Sequence, residues 1–212
     1  MHLITRKIFI NMTCRRFFNN RYALHIVFAI STILLLYSCT DNQLVKSIQQ
    51  FKGQQITIPA DLHTVWKGRD TLLSGFTQVP VKFVVWVDSL NCASCKVNSM
   101  REWNDVVKYA DSLAQWFNII FLFTPKKKDL NKVNTALRAN RFDYPIFIDR
   151  NADFVKQNPR LPKQQQLHIF LLDKDNRVIL VGNPLRNPTL WVLYQRTIQT
   201  MIENDGVLPK GK

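Results

Sequence analysis

Two cysteines three positions apart are the residues in this sequence whose type and spacing best suit chemistry. Cys92 and Cys95 are separated by Ala93 and Ser94. Thiols at this spacing can exchange electrons by forming and breaking a disulfide, can form a permanent structural disulfide, or can supply half of a zinc site. Zinc fits least well, because neither a second C-x-x-C pair nor an H-x-x-x-H pair occurs in the sequence.

The segments around this pair predict how it is held. Residues 81–87, which precede it, are nearly all β-branched or aromatic, as is typical of a strand buried on both faces. After the pair, apolar residues recur every three or four positions and predict an amphipathic helix. Cys92 would then stand at a helix N-terminus, where unpaired N–H groups and the positive dipole end lower a thiol pKa to about 3.5–7.5. The apolar face of this helix consists of Val97, Met100, Trp103, Val106, Val107, Ala110 and Leu113.

The remaining patterns predict an α/β domain with a central mixed sheet and helices on both faces. Asp129 is the expected N-cap of a second helix, and Asn187 with Pro188 is expected to begin the last one. A polar turn at 173–176 indicates a β-hairpin. The further strands predicted are residues 117–123, 144–149, 168–172 and 177–181, with a short edge strand at 56–59.

Three of these features resemble the thioredoxin family, and most closely its exported, membrane-anchored thiol-disulfide oxidoreductases of the TlpA and ResA kind. They are the strand at 81–87, the Cys-Ala-Ser-Cys motif that opens the following helix, and the segment Phe-Leu-Leu-Asp-Lys-Asp-Asn at 170–176. That last segment is similar to the family's F-L-I-D-K-D-G hairpin. The resemblance covers about residues 76–204 and implies a thioredoxin-like fold.

The resemblance also implies roles for individual residues. Cys92 would be the thiol that attacks and forms a mixed disulfide, and Cys95 would resolve it. No nicotinamide or flavin fingerprint occurs in the sequence, so no cofactor is expected and electrons would come from a protein donor. The expected partners are envelope proteins that carry thiols or disulfides, and not nucleic acid. The groove that receives them would be formed by Asn91, Ala93, Ser94, Leu167 and His168.

The sequence departs from the family's pattern at three positions. Asn91 stands where the family usually has Trp, directly before the first cysteine. Leu167 takes the place of the family's cis-Pro, and since a cis bond before Leu costs about 2.5–4 kcal/mol, we expect a trans bond and a reshaped groove. Trp86 aligns with the buried acid that assists proton transfer in thioredoxins. No substitute base is obvious in the sequence, and Asp88 is named here only as a guess.

The N-terminus predicts export. Five positive charges lie within residues 1–21, and an apolar stretch at 22–38 follows, which is the order of a signal peptide. This stretch is shorter than the roughly 20 apolar residues of a retained membrane anchor. It ends in Leu-Tyr-Ser-Cys, which resembles the bacterial lipobox, and that resemblance implies lipidation of Cys39. Thr40 in place of Asp then favours the outer membrane, with the exposed side undetermined.

Charge and organisation complete the sequence-based predictions. Of 29 Lys and Arg, five precede residue 39 while all 15 Asp and Glu follow it, so residues 39–212 keep a formal charge of +9. We expect a signal peptide (1–38), a tether and extension (39–75), the thioredoxin-like domain (76–204) and a tail (205–212).

The sequence leaves two functions open. One is an exported disulfide-exchange enzyme, and the other is a non-catalytic binding module in which Cys92 and Cys95 form a structural disulfide, as oxidising compartments favour.

Overall fold

The computed structural model describes residues 42–88 and 93–209, together with His25 and Phe28. The chain divides into two compact units, residues 1–46 and 47–212. Apart from His25 and Phe28, the predicted signal peptide lies outside the described residues, as does Cys39. Within the described ranges, no helix is both long enough and apolar enough to cross a membrane.

A mixed sheet forms the centre of the second unit. Its spatial order, over the described residues, is β2-β1-β5-β4-β3-β6-β7, where β3 pairs in parallel with β4, β4 pairs in parallel with β5, and the other neighbours are antiparallel. The predicted α/β class with a mixed sheet is confirmed. In chain order the strands are β1 (His63–Trp66), β2 (Arg69–Thr71), β3 (Val81–Val87), β4 (Phe117–Phe123), β5 (Ile146–Ile148), β6 (Ile169–Leu172) and β7 (Val178–Val181).

Helices cover both faces of this sheet, as predicted. Along β3, Phe83 and Val85 belong to one apolar cluster, while Val84 and Trp86 belong to the other. This alternation follows from the pleat of a strand, in which successive side chains point to opposite faces. The described helices are α1 (residues 42–51), α2 (Ala93–Asn98), α3 (Asn104–Asp111), α4 (Leu130–Asn140), α5 (Asp153–Gln157) and α6 (Pro188–Glu203).

The two central strands have the bounds that the sequence predicts. All seven residues of β3 and all seven of β4 are buried, and the strands run in register from the pair Val81 and Phe117 to the pair Val87 and Phe123. The last helix also begins as predicted, because the Asn187 side chain accepts a hydrogen bond from the Leu190 N–H. The helix that contains Cys95, α2, follows the carboxyl end of the central strand β3 in the chain.

The predicted helix after the cysteine pair is not continuous. It consists of α2, a 3₁₀ turn at Met100–Trp103, and α3. Both the N–H and the hydroxyl of Ser99 donate to the Lys96 carbonyl at 3.1 Å, so this serine closes α2 with a tight local turn. The buried side chains of Met100 and Trp103 are thereby brought onto the core.

Two other local predictions need comment. Asp129 occupies the N-cap position of α4, as predicted, but its side chain makes no capping hydrogen bond, and its carboxylate lies 3.8 Å from the Lys132 Nζ. The predicted edge strand at 56–59 is wrong, because these residues form no strand. Instead, the Asn158 side chain accepts a hydrogen bond from the Thr57 N–H at 2.8 Å and donates to the Thr57 carbonyl at 2.7 Å.

The segment before these residues lies along the edge of β7. The Gly53 N–H donates to the Val178 carbonyl, and the Val178 N–H donates in return to the Gln54 carbonyl. An edge strand presents unpaired backbone groups to solvent, and this segment satisfies several of them.

The sheet also includes the β1–β2 hairpin, which precedes the domain boundary predicted at residue 76. The sequence analysis missed this hairpin.

Candidate functional site

Cys95 lies in the first turn of α2, directly beyond the end of β3. Its side chain is exposed, and its sulfur is in a disulfide. It is the only cysteine among the described residues, and its predicted partner Cys92 lies outside them, as does Asn91. The side chains of Ala93 and Ser94 also lie outside the described part of the structure. An accessible disulfide at a helix start is thus the site's chemically reactive feature.

Trp86, at the position where the resemblance implies a buried acid, is an aromatic side chain with its own partners. The Trp86 indole N–H donates to the Thr124 hydroxyl at 3.0 Å. Its ring packs edge-on against Phe154, with centroids 5.5 Å apart. On the other side it lies against the imidazole of His168. Trp86 therefore fills this position as a packed, satisfied residue and offers no titratable group.

His168 is a buried histidine whose ring makes one hydrogen bond. It follows the 3₁₀ turn Gln165–Leu167, and its ring Nε2 lies 2.9 Å from the Pro162 carbonyl. Because a carbonyl oxygen only accepts, Nε2 must carry the hydrogen. The other nitrogen, Nδ1, has no hydrogen-bond partner and lies 3.8 Å from the carboxylate of Asp88. Both side chains are more than nine-tenths buried.

The buried position of His168 controls its charge. Burial, which disfavours the charged form, is the main influence and lowers the pKa of this imidazole below its ordinary value. The Pro162 carbonyl and then the Asp88 carboxylate act in the opposite direction. The net direction is downward, so His168 is neutral at neutral pH.

A cleft of about 490 Å³ connects His168 with the cysteine helix. Its lining comes from the end of β3, from α2 and the 3₁₀ turn after it, from the 3₁₀ turn Gln165–Leu167 with the start of β6, and from the loop after β7. The polar side chains that line the cleft are Lys96, Ser99, Glu102, Gln165, Gln166, His168, Asn183 and Arg186.

Of the predicted groove residues, His168 lines this cleft. Leu167 is 2% exposed and is not among the cleft's lining residues. No cis peptide bond occurs in the described residues, so the bond before Leu167 is trans, as expected. The sequence analysis missed Lys96, Glu102 and Arg186, for which no sequence pattern exists. Among the described residues, no three His, Cys, Asp or Glu side chains are grouped to hold a metal ion.

Comparison with solved structures finds similar structures at low sequence identity. The thioredoxin domain of the thiol-disulfide oxidoreductase BVU-2223 from Bacteroides vulgatus has 16% identity over 66% of this chain and 96% of that chain, with a TM-score of 0.41. A thioredoxin-like protein from Porphyromonas gingivalis has 12% identity over 71% and 95%, with a TM-score of 0.41. AhpC from Enterococcus faecalis has 12% identity over 76% and 99%, with a TM-score of 0.46. No protein-family model and no curated protein matches the sequence.

Proposed function

We propose that this protein is a thioredoxin-like thiol-disulfide oxidoreductase that uses Cys92 and Cys95. The observation that carries the proposal is the exposed, disulfide-bonded Cys95 in the first turn of the helix that follows a fully buried central strand. Cys92 is the partner that the C-x-x-C spacing provides. Exposure favours exchange, because a partner thiol must reach a sulfur atom before it can attack the disulfide.

The order of the elements supports the same proposal. The chain runs β3-α-β4-α-β5, continues through the short helix α5 and then forms the β6–β7 hairpin, so the strands follow the order that the sequence patterns predict. The segment 173–176 is the turn of this hairpin, where the Asp173 carboxylate accepts a hydrogen bond from the Arg177 N–H at 2.7 Å. Asp173, one of the residues on which the resemblance rests, therefore also stabilises the turn of this hairpin.

The proposed reaction is a two-step exchange. In the reduced protein, the Cys92 thiolate attacks one sulfur of a partner's disulfide, and the partner's other sulfur leaves as a thiolate that takes up a proton. The Cys95 thiolate then attacks Cys92 and releases the partner's second thiolate. The partner gains two electrons and two protons, and the Cys92–Cys95 disulfide is left oxidised. A protein donor would restore the dithiol by the reverse steps.

The place of action that we propose is the bacterial cell envelope. A signal peptide over residues 1–38 and lipidation of Cys39 would anchor the chain, and the outer membrane is favoured by Thr40. In this compartment the substrates would be other envelope proteins with thiols or disulfides. Mass spectrometry of the protein extracted from cell membranes would test the anchor, because a Cys39→Ala variant should lose the lipid mass.

A second candidate function is a binding module with a permanent disulfide. Two observations favour it: Trp86 fills the position of the family's buried acid, and the bond before Leu167 is trans. The cleft beside His168 would then hold a peptide without exchanging electrons. This alternative predicts a disulfide that is much harder to reduce.

Reduction potential separates the two functions. We expect the purified protein, equilibrated in glutathione or dithiothreitol buffers, to show a potential between about −120 and −270 mV, which is the range of exchange enzymes. A potential below about −300 mV would instead establish a structural bridge. Trapping adds a second test, because Cys95→Ser should accumulate mixed disulfides with envelope proteins whereas Cys92→Ser should not. Equal loss of stability in both variants, with nothing trapped, would contradict the exchange proposal.

A further inference from the structure

A second cleft lies beside the β1–β2 hairpin, at the end of the sheet formed by β2. We call it the hairpin cleft. It has a volume of about 790 Å³ and is formed by the turn of the hairpin, the last turn of α4 and the residues that follow α4. None of its lining residues also lines the cleft beside His168. The lining residues are Trp66, Lys67, Gly68, Arg69, Thr71, Arg138, Arg141 and Asp143.

Positive charge exceeds negative charge in the lining of this cleft. Its one carboxylate, Asp143, lies 3.0 Å from the Lys67 Nζ and accepts a hydrogen bond from the Trp66 indole N–H at 3.3 Å. Asp111 of α3 interacts electrostatically with Asp143 but is not among the lining residues. The three arginines of the lining form no ion pair with any described residue. Their guanidinium groups therefore lack an anionic partner within the described part of the chain.

Helix stability explains only some of these cations. The negative end of the α4 dipole favours Arg138 and Arg141, which stand in the last turn of α4 and directly after it. It does not explain Arg69, which comes from the hairpin and lines the same cleft. A Cβ at Gly68 would lie 2.9 Å from the Arg138 Cα, so the hairpin turn packs directly on α4. Like charges from two elements are thus held around one cavity, and an anion in that cavity would relieve their repulsion.

The lining indicates which anion fits. A guanidinium group presents its N–H donors in a planar fork that matches the oxygens of phosphate or carboxylate. Three such groups exceed the single charge of a carboxylate, whereas a phosphate monoester has a charge of about −1.5 to −2 and three acceptor oxygens. The Trp66 ring is 38% exposed and lines the same cleft, so it offers an apolar surface for the part of the ligand next to the phosphate.

We propose that the hairpin cleft is a binding site for a phosphate group. Arg69, Arg138 and Arg141 donate hydrogen bonds to the phosphate oxygens, and Trp66 packs against the group that carries the phosphate. Asp143 keeps Lys67 and the indole in place through the contacts that it already makes. Two kinds of ligand have this chemistry, a phospholipid headgroup and a small soluble phosphate. This inference does not depend on the exchange function, which the reduction potential tests separately.

The first test is calorimetric titration of the purified full-length protein with inorganic phosphate at constant ionic strength. We expect saturable binding, and we expect Arg69→Gln combined with Arg138→Gln to weaken it by about 10-fold or more, because two charge-assisted hydrogen bonds are lost. Both side chains are exposed, so the variant should fold, and circular dichroism checks this.

The matched control removes the same charge at the other end of α4. Lys126→Gln combined with Lys127→Gln changes two exposed lysines that precede the start of this helix, whose 11 residues span about 16 Å. The positive end of the helix dipole lies there, so nonspecific attraction of anions should be at least as strong as at the hairpin cleft. We expect the affinity for phosphate to change by less than about 2-fold, because salt screens charges at this distance.

Three results would overturn the proposal. Equal weakening by the arginine and the lysine variants would mean that phosphate follows the net charge of the protein. Absence of saturable binding to the parent protein would mean that the cleft has no such ligand. A polyglutamate peptide that binds through the same arginines, while phosphate does not, would assign the cleft to acidic proteins instead.

A second titration distinguishes the two kinds of ligand. Dihexanoyl phosphatidic acid, used below its micelle concentration, has a phosphate monoester on a short lipid. If it binds about 10-fold more tightly than inorganic phosphate, and Trp66→Ala removes this gain, the site receives a lipid phosphate. Equal affinities for the two probes, both lowered by the arginine variant, assign it to a small soluble phosphate. Lipid binding that the arginine variant leaves unchanged would contradict the site.

Discussion

The imidazole of His168 lies against the indole of Trp86, with ring centroids 4.0 Å apart and planes tilted by 35°. The backbone N–H of Trp86 also donates a hydrogen bond to the backbone carbonyl of His168 at 2.9 Å. The ring contact and the backbone hydrogen bond together connect the carboxyl end of β3 with the start of β6 beside the cleft that His168 lines. Trp86 therefore has a structural role here, because it packs against the histidine whose Nδ1 lies 3.8 Å from the Asp88 carboxylate.

This relationship predicts a coupling between Trp86 and Thr124. Trp86→Phe keeps a ring against His168 but removes the N–H that the Thr124 hydroxyl accepts at 3.0 Å. We expect a loss of about 1–3 kcal/mol in the free energy of unfolding, because the buried hydroxyl loses its donor. Urea unfolding of the single variants and of Trp86→Phe with Thr124→Val should give a coupling energy of about 1 kcal/mol. Additive losses would show that the hydrogen bond is not the cause.

The burial of His168 predicts a loss of stability in acid. Desolvation lowers the pKa of His168 in the folded protein below its ordinary value of 6.5, so between the two values the unfolded chain binds more protons. The free energy of unfolding must therefore fall as pH decreases below about 6.5. Urea titrations from pH 8 to pH 4 should show a steeper fall in the parent protein than in His168→Gln. His63→Gln is the matched control, and an equally shallow curve for it would implicate histidines in general.

The sequence predicts the central elements well because their patterns are local. A run such as residues 81–87 has no polar side of its own, so a strand buried on both faces is the structure that accommodates it. The start of α6 is readable for the same reason, since the Asn187 cap and Pro188 are adjacent in the chain. In each case a few neighbouring residues contain the necessary information.

The features that the sequence does not reveal depend on distant or weak signals. His168 and Asp88 lie close together because β3 pairs with β6, and no local sequence pattern predicts this pairing. The β1–β2 hairpin has strands of only four and three residues. Its two-residue turn of Lys67 and Gly68 was the available signal, because both residues have positive φ and Gly at the second position is typical of such turns.

The attachment of the segment before β1 predicts a local opening when Asn158 is changed. Its side chain makes two hydrogen bonds to the Thr57 backbone and a third to the Phe154 carbonyl at 2.7 Å. Asn158→Ala leaves these backbone groups without their partner, and we expect a loss of about 2–3 kcal/mol. Hydrogen exchange at the Thr57 and Ile56 amides should accelerate more than exchange in β3. Asn131→Ala, at an exposed position of α4, serves as the control and should change neither quantity.

Two glycines with the same backbone conformation separate strain from steric clash. Gly68 has a φ of +74° and Gly75 a φ of +77°, so alanine is strained at both by about 1–2 kcal/mol. A Cβ on Gly68 would lie 2.9 Å from the Arg138 Cα and 3.0 Å from its carbonyl oxygen, whereas a Cβ on Gly75 would meet nothing within 4 Å.

We therefore expect Gly68→Ala to lower the free energy of unfolding by about 1–3 kcal/mol more than Gly75→Ala, because backbone atoms of α4 cannot move aside as a flexible side chain can. Urea unfolding midpoints of the two variants give this difference directly. Equal losses would mean that the β1–β2 hairpin moves away from α4 at little cost. A larger loss in Gly68→Ala with an unchanged m-value would instead establish that the hairpin packs rigidly on α4 and unfolds together with the sheet.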